Sequence, residues 1–145
     1  MRDLLVVGNT LYLVDDFGTV NGTVRKRAAA IDKTSGDLQA FDPNLGGKAN
    51  AVAAFGPTVY VGGNFLTVGG SSRRYLAAVN ATTGALLNPV FKNVGDVILD
   101  LSVNTDDGSQ VFGAGGGGFN SAAAWNTPVM APGNGFSEPT VTCRR

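Results

Sequence analysis

Apolar residues along this chain alternate with polar ones or gather in runs of four or five, and each run is closed by glycine, asparagine, aspartate or proline. Period-two alternation and short apolar runs between turn residues are strand signals, and no window carries the 3.6-residue spacing of an amphipathic helix. The stretch from 50 to 88 predicts four strands, at about Asn50–Phe55, Thr58–Gly62, Tyr75–Asn80 and Ala85–Asn88. Gly56-Pro57 separates the first two, as Gly8-Asn9 does near the start, where Leu4–Val7 reads as the opening strand. Ala81-Thr82-Thr83-Gly84 and its earlier likeness Lys33-Thr34-Ser35-Gly36 read as turns. There the Asp32 or Asn80 side chain accepts from backbone N–H groups ahead of it, and glycine closes the turn. The fold class is all-β.

The elements repeat. Shifting the chain by 48 residues lays Leu4–Leu38 on Val52–Leu86 without a gap. Identical pairs include Tyr12/Tyr60, Phe17/Phe65, Val20/Val68, Arg25/Arg73, Ala29/Ala77, Gly36/Gly84 and Leu38/Leu86. A looser third copy follows: Val111-Phe112 answers Val59-Tyr60, and Ala123-Ala124-Trp125-Asn126 answers Ala77-Ala78-Val79-Asn80. In it, a glycine run replaces the long loop between strands two and three. A period of roughly 40 to 50 residues carrying several short strands is the signature of propeller blades. We therefore expect an open, partial β-propeller of about three four-stranded antiparallel blades. Residues 1–48 form the first, 49–96 the second and 97–127 an incomplete third, followed by a divergent, poorly packed tail over 128–145. In the long loops, Phe17 and Phe65 should fold back and plug the space between neighbouring blades.

Val59-Tyr60-Val61-Gly62-Gly63-Asn64-Phe65, Val68-Gly69-Gly70 and Leu76 to Leu86 together resemble the bacterial cell-surface β-propeller repeats of the form VYVGGxFxxVGG…R…LAAxDxxTGxL. They are similar, more distantly, to quinoprotein-type blades ending in AxDxxTGxxxW. The likeness runs from about Leu4 to Asn126 and implies a propeller from a secreted or surface-attached protein. It says little about ligand, since propellers host enzymes, lectin-like binders and scaffolds. Quinoprotein blades carry a docking Trp after the Thr-Gly turn; Leu38-Gln39-Ala40-Phe41 and Leu86-Leu87-Asn88-Pro89 have none, which weighs against a quinone enzyme.

Composition narrows the function classes. Of 145 residues, 21 are glycine, and only 15% are charged against roughly a quarter in ordinary domains. Eleven basic and eleven acidic residues cancel, so nothing marks an electrostatic footprint for nucleic acid or an anionic membrane. The absence of histidine excludes a Ser-His-Asp triad, a histidine metal site and a histidine general base within this chain. Cys143 is alone, which excludes an internal disulfide framework. The apolar run Leu4–Val7 is too short for a signal peptide core or a membrane span.

Three residue groups could carry chemistry. Arg25-Lys26 and Arg73-Arg74 recur at one loop end of each clear copy, where they could bind carboxylate or sugar ligands. Because the pair recurs in both clear copies a structural duty is favoured, tying the long loop to backbone carbonyls or to a neighbouring blade's aspartate. Asp15-Asp16 and Asp106-Asp107 are the weak metal candidates. Neither has a full ligand set, and loop capping and an Asp-Gly hairpin explain them more simply. Gly113–Gly118 satisfies G-x-G-x-x-G, yet a strand follows where a dinucleotide site needs a helix. Asn21 and Asn80 head glycosylation sequons in turns that favour such residues anyway, and Trp125 reads as blade packing. No catalytic residue and no cofactor is expected.

The function implied is a non-catalytic fragment of a secreted or surface propeller that binds or scaffolds. The alternatives are a piece of a quinoprotein-like or sugar-acting enzyme, or a truncated product without function of its own. About three blades cannot close a ring of four to eight. The expected partners are therefore the remaining blades of a longer parent or other copies of this chain, with carbohydrate or a surface protein as ligand. The tail breaks the pattern after Trp125-Asn126-Thr127, as either a frameshift or a Pro/Gly-rich extension would.

Overall fold

A computed structural model describes residues 2–87, 91, 94–115, 122–127 and 141–144. Every regular element among them is a strand, and no helix is present to cross a membrane. The first sheet joins β1 (Asp3–Val7), β2 (Thr10–Val14) and β5 (Ala28–Asp32) in the order β1-β2-β5. Between its last two strands stands a small hairpin of β3 (Thr19–Val20) and β4 (Thr23–Val24). The second sheet repeats the arrangement with β6 (Lys48–Phe55), β7 (Thr58–Asn64) and β10 (Leu76–Asn80). Its hairpin is β8 (Thr67–Val68) with β9 (Ser71–Ser72). The third sheet runs β11 (Ile98–Val103), β12 (Gln110–Gly115), β13 (Ala122–Asn126) and β14 (Val141–Arg144). All pairings are antiparallel.

Registers coincide between the first two sheets. Leu4↔Leu13 and Val6↔Leu11 have their counterparts in Val52↔Val61 and Ala54↔Val59, and Leu11↔Ile31 has its counterpart in Val59↔Val79. The turns match atom for atom. Asp32 Oδ1 accepts from the N–H groups of Thr34 and Ser35 at 2.8 and 2.9 Å; Asn80 Oδ1 does the same with Thr82 and Thr83 at 2.9 and 3.0 Å. Gly36 and Gly84 then close the turns at φ of +78° and +79°, where a Cβ would be strained.

The fourth strand expected at Ala85–Asn88 is reduced to one bridge, Val79↔Leu86, and Asn88 lies outside the described residues. The first sheet behaves alike, with the single bridge Ile31↔Leu38. Burial decides this. The chain leaves the first sheet's edge so that Phe41 can enter the core, where it is 1% exposed and meets Tyr12 edge-on with centroids 5.1 Å apart. A buried aromatic is worth roughly 1.5–3 kcal/mol, more than the roughly 0.5–1.5 kcal/mol of an edge hydrogen bond. Among the described residues only the third sheet has four strands. Its fourth, β14, comes from the segment read as a divergent tail, whose residues 128–140 and 145 lie outside the described set.

Alternate residues of the second sheet divide between two cores. Val52, Val59, Val61, Ala77 and Val79 join Tyr12, Val14, Ala28 and Ala30 of the first sheet. Ala51, Ala53, Tyr60, Leu76 and Ala78 join Ile98, Leu101, Val111 and Trp125 of the third. A sheet buried on both faces needs apolar residues at every position, which is why Val59-Tyr60-Val61 shows no alternation. Phe65, just before β8, and Val68, in it, complete the first core at 0% and 1% exposure. The sheets are also hydrogen-bonded to each other. Asp3 Oδ2 accepts from the Val52 N–H at 3.0 Å, the Tyr12 hydroxyl donates to Ala81 O at 2.7 Å, and Asn50 Nδ2 donates to Ile98 O at 2.9 Å.

Candidate functional site

The loop between strands two and three of each clear copy is held by the same backbone bonds. Arg25 N–H donates to Gly18 O and Arg27 N–H to Phe17 O at 3.0 and 2.9 Å; Arg73 and Tyr75 repeat this on Leu66 and Phe65, both at 3.0 Å. Making these bonds puts Arg27 and Tyr75 at φ of +69° and +67°. A non-glycine residue there costs on the order of 1–2 kcal/mol, offset by the bonds it permits. This kink delays the third strand, which starts at Leu76 rather than at Tyr75.

Within that frame Arg25 acts as a strap. Its Nη1 donates to Val24 O at 2.9 Å, its Nη2 donates to Gln39 O at 3.1 Å, and Asp42 Oδ2 lies 3.9 Å away. The bond to Gln39 O ties the β4 end to the segment leaving the first sheet. Arg73 Nη1 donates to Ser72 O at 2.8 Å, the counterpart of the Arg25 bond to Val24 O. The Nε atoms of Arg25 and Arg73 are buried and lack a hydrogen-bond partner in both copies. Lys26 and Arg74 are exposed. Among the described residues no hydrogen bond or ion pair joins one basic pair to the other.

Asp15 and Asp16 lie just beyond β2. Asp15 Oδ1 accepts from the Asp16 N–H at 2.8 Å and faces Arg2 Nε at 3.9 Å. Asp16 pairs with Arg27 Nε at 3.1 Å and with Lys48 Nζ at 3.6 Å, joining the first sheet to the start of β6. Arg27 Nη1 also donates to Leu45 O at 2.8 Å. Arg27, Asp42 and Lys48 thus take part in the polar network, although nothing in their local sequence signals it; their partners are distant in sequence.

Asp106 and Asp107 sit in the connection between β11 and β12. The Asp106 N–H donates to Asn104 Oδ1 at 3.0 Å and the Ser109 N–H to Asp107 Oδ1 at 2.9 Å. Hydrogen bonds from Ser109, its hydroxyl first and its N–H second, hold the Asp107 carboxyl below the usual range. Among the described residues no three metal-ligating side chains converge. Of the glycine run, Gly113–Gly115 belong to β12 and 116–118 lie outside the described residues. Trp125 is fully buried opposite Val111, its ring over Gly113.

One concave surface stands apart from these loops: a shallow, mainly apolar depression on the outer face of the third sheet, lined by Asp100, Leu101, Ser102, Phe112, Gly113 and Ala114. No family model, curated protein or solved structure matches the chain.

Proposed function

We propose that this chain is an open segment of a β-propeller, about three blades of a non-catalytic, extracellular or cell-surface protein that works by binding or scaffolding. One observation carries the reading: the sheets stack face to face in chain order, and the first two share every strand register at an offset of 48 residues. Small antiparallel sheets packed in series on each other's faces are the propeller plan. The sequence resemblance to bacterial surface repeats points the same way.

The loop ends carrying Lys26 and Arg74 are the binding surface in this reading. Arg25 straps its loop to Gln39 and Arg73 bonds the neighbouring Ser72 carbonyl, while the exposed cations beside them meet carboxylate-bearing or neutral sugars. The test is a glycan array with the purified chain. Acidic glycans should give signal that a Lys26→Ala, Arg74→Ala double variant loses without loss of fold. A blank array from well-folded protein overturns carbohydrate binding.

A further inference from the structure

Among the described residues each end of the stack is incompletely covered, and each resembles a surface that is covered elsewhere in the same molecule. In the second sheet, the face turned to the first is buried: Val52 is 5% exposed, and Val59 and Val79 are 0%. On the same face of the first sheet Leu13 and Ala29 are covered, at 7% and 0% exposure, but among the described residues nothing covers its first strand. Leu4, the counterpart of Val52, is 52% exposed, and Val6, the counterpart of Ala54, is 54% exposed. Phe17 and Val20 are only partly buried where Phe65 and Val68 are fully so. The sequence has therefore kept apolar residues on the first strand at positions that no described residue covers.

The third sheet shows the opposite face. Tyr12 of the first sheet and Tyr60 of the second point forward into the next sheet, where Phe41 and Phe91 meet them edge-on. Phe112 occupies the matching register, opposite Ala124 as Tyr60 is opposite Ala78, and is 41% exposed. It borders the shallow depression. Asp100 also takes the place that Asp3 holds in the first sheet. Both give Oδ1 to the following N–H, of Leu101 and Leu4, each at 2.9 Å. Asp3 then reaches the next sheet with Oδ2, whereas Asp100 lies exposed at the open end.

We infer that a second copy of this chain covers these ends: the Phe112 face of one copy receives the Leu4–Val6 face of the other, continuing the front-to-back packing seen twice within the chain. This rests on the stacked-blade reading above. The contact is heterologous, front to back, and made at both ends it joins two copies in a ring. Two copies of three sheets supply six, inside the four to eight that closed propellers use.

Sedimentation equilibrium of the purified chain tests it. The expected species is a dimer, at twice the 14.8 kDa chain mass. Leu4→Glu and Phe112→Asp should each give folded monomers, since both side chains are largely exposed within one copy; Val6→Glu and Phe112→Ser serve if either fails to fold. An equimolar mixture of the two variants should recover a dimer, because one front and one back remain intact. Folded wild-type monomer at high micromolar concentration, a dimer indifferent to Phe112→Asp, or no recovery on mixing overturns the proposal. Coupling between Gly62 and Ile98, read from urea unfolding of the single and double alanine variants, reports the internal stacking separately. A monomer that keeps that coupling rejects the second copy alone, and a monomer without it rejects the stacked reading as well.

Discussion

Gly62 offers the sharpest test of how the second and third sheets meet. It lies in β7, and a Cβ built on it would overlap Ile98 Cγ2, come within 2.9 Å of Ile98 Cβ and within 3.0 Å of Leu101 Cδ1. Replacing a strand glycine by alanine in open space stabilises by about 0.5–1 kcal/mol, because the unfolded chain has less freedom to lose. Overpacking a filled core instead costs about 1–3 kcal/mol. Crowding should win, so Gly62→Ala is expected to destabilise by about 1–2 kcal/mol net. Gly18→Ala is the control, with nothing within 4 Å of its Cβ and no positive φ; it should be neutral or stabilising. Ile98→Ala alone should cost about 2–5 kcal/mol for the cavity it opens. Combined with Gly62→Ala it removes the nearest clashing atom, so the double variant should be more stable than the sum of the singles by about 1–2 kcal/mol. Urea unfolding followed by Trp125 gives the readout, since this is the chain's one tryptophan and is fully buried in the same core as Ile98. If Gly62→Ala stabilises, or the two substitutions are additive, the third sheet does not pack on the second as described.

Two further outcomes follow from the polar contacts. Asp32 is held below the ordinary carboxylate range by the Ser35 N–H first, then by the Thr34 N–H. A depressed folded pKa contributes stability above the unfolded value of about 3.9 and loses it as pH falls through the folded value. Asp32→Asn, which copies Asn80, should therefore flatten the acid side of a plot of urea midpoint against pH; an unchanged slope contradicts this. Tyr12→Phe should cost about 1 kcal/mol through the lost bond to Ala81 O while the ring keeps its contact with Phe41. Burial raises the Tyr12 phenol, so its contribution is full below about pH 10 and lost as pH climbs through the higher folded value. The phenylalanine variant should lose less stability than wild type on passing above pH 10, and equal losses would show that the phenol is not buried in the first core.

Local chemistry made much of this protein legible from its residues. Hairpin breaks, the Asp32 and Asn80 turns and the offset of 48 depend on a few neighbouring side chains, so strand order followed from sequence. The positive φ at Arg27 and Tyr75 gave no such signal, because neither is glycine or asparagine and the bonds that hold the kink come from the far side of the loop. Arg25 and Arg73 were visible as a repeated pair, but their hold on backbone carbonyls was one of two open readings until the loop geometry was known.

The sequence by itself determined that this chain is all-β, where its turns fall and that its parts repeat, since turn chemistry and period-two patterning act over a handful of residues. Tertiary structure alone decided that the fourth strand gives way to Phe41, that Asp16 meets Lys48, and which face of each sheet is covered. Those outcomes are competitions between burial and edge hydrogen bonding, settled by contacts between residues far apart in the chain.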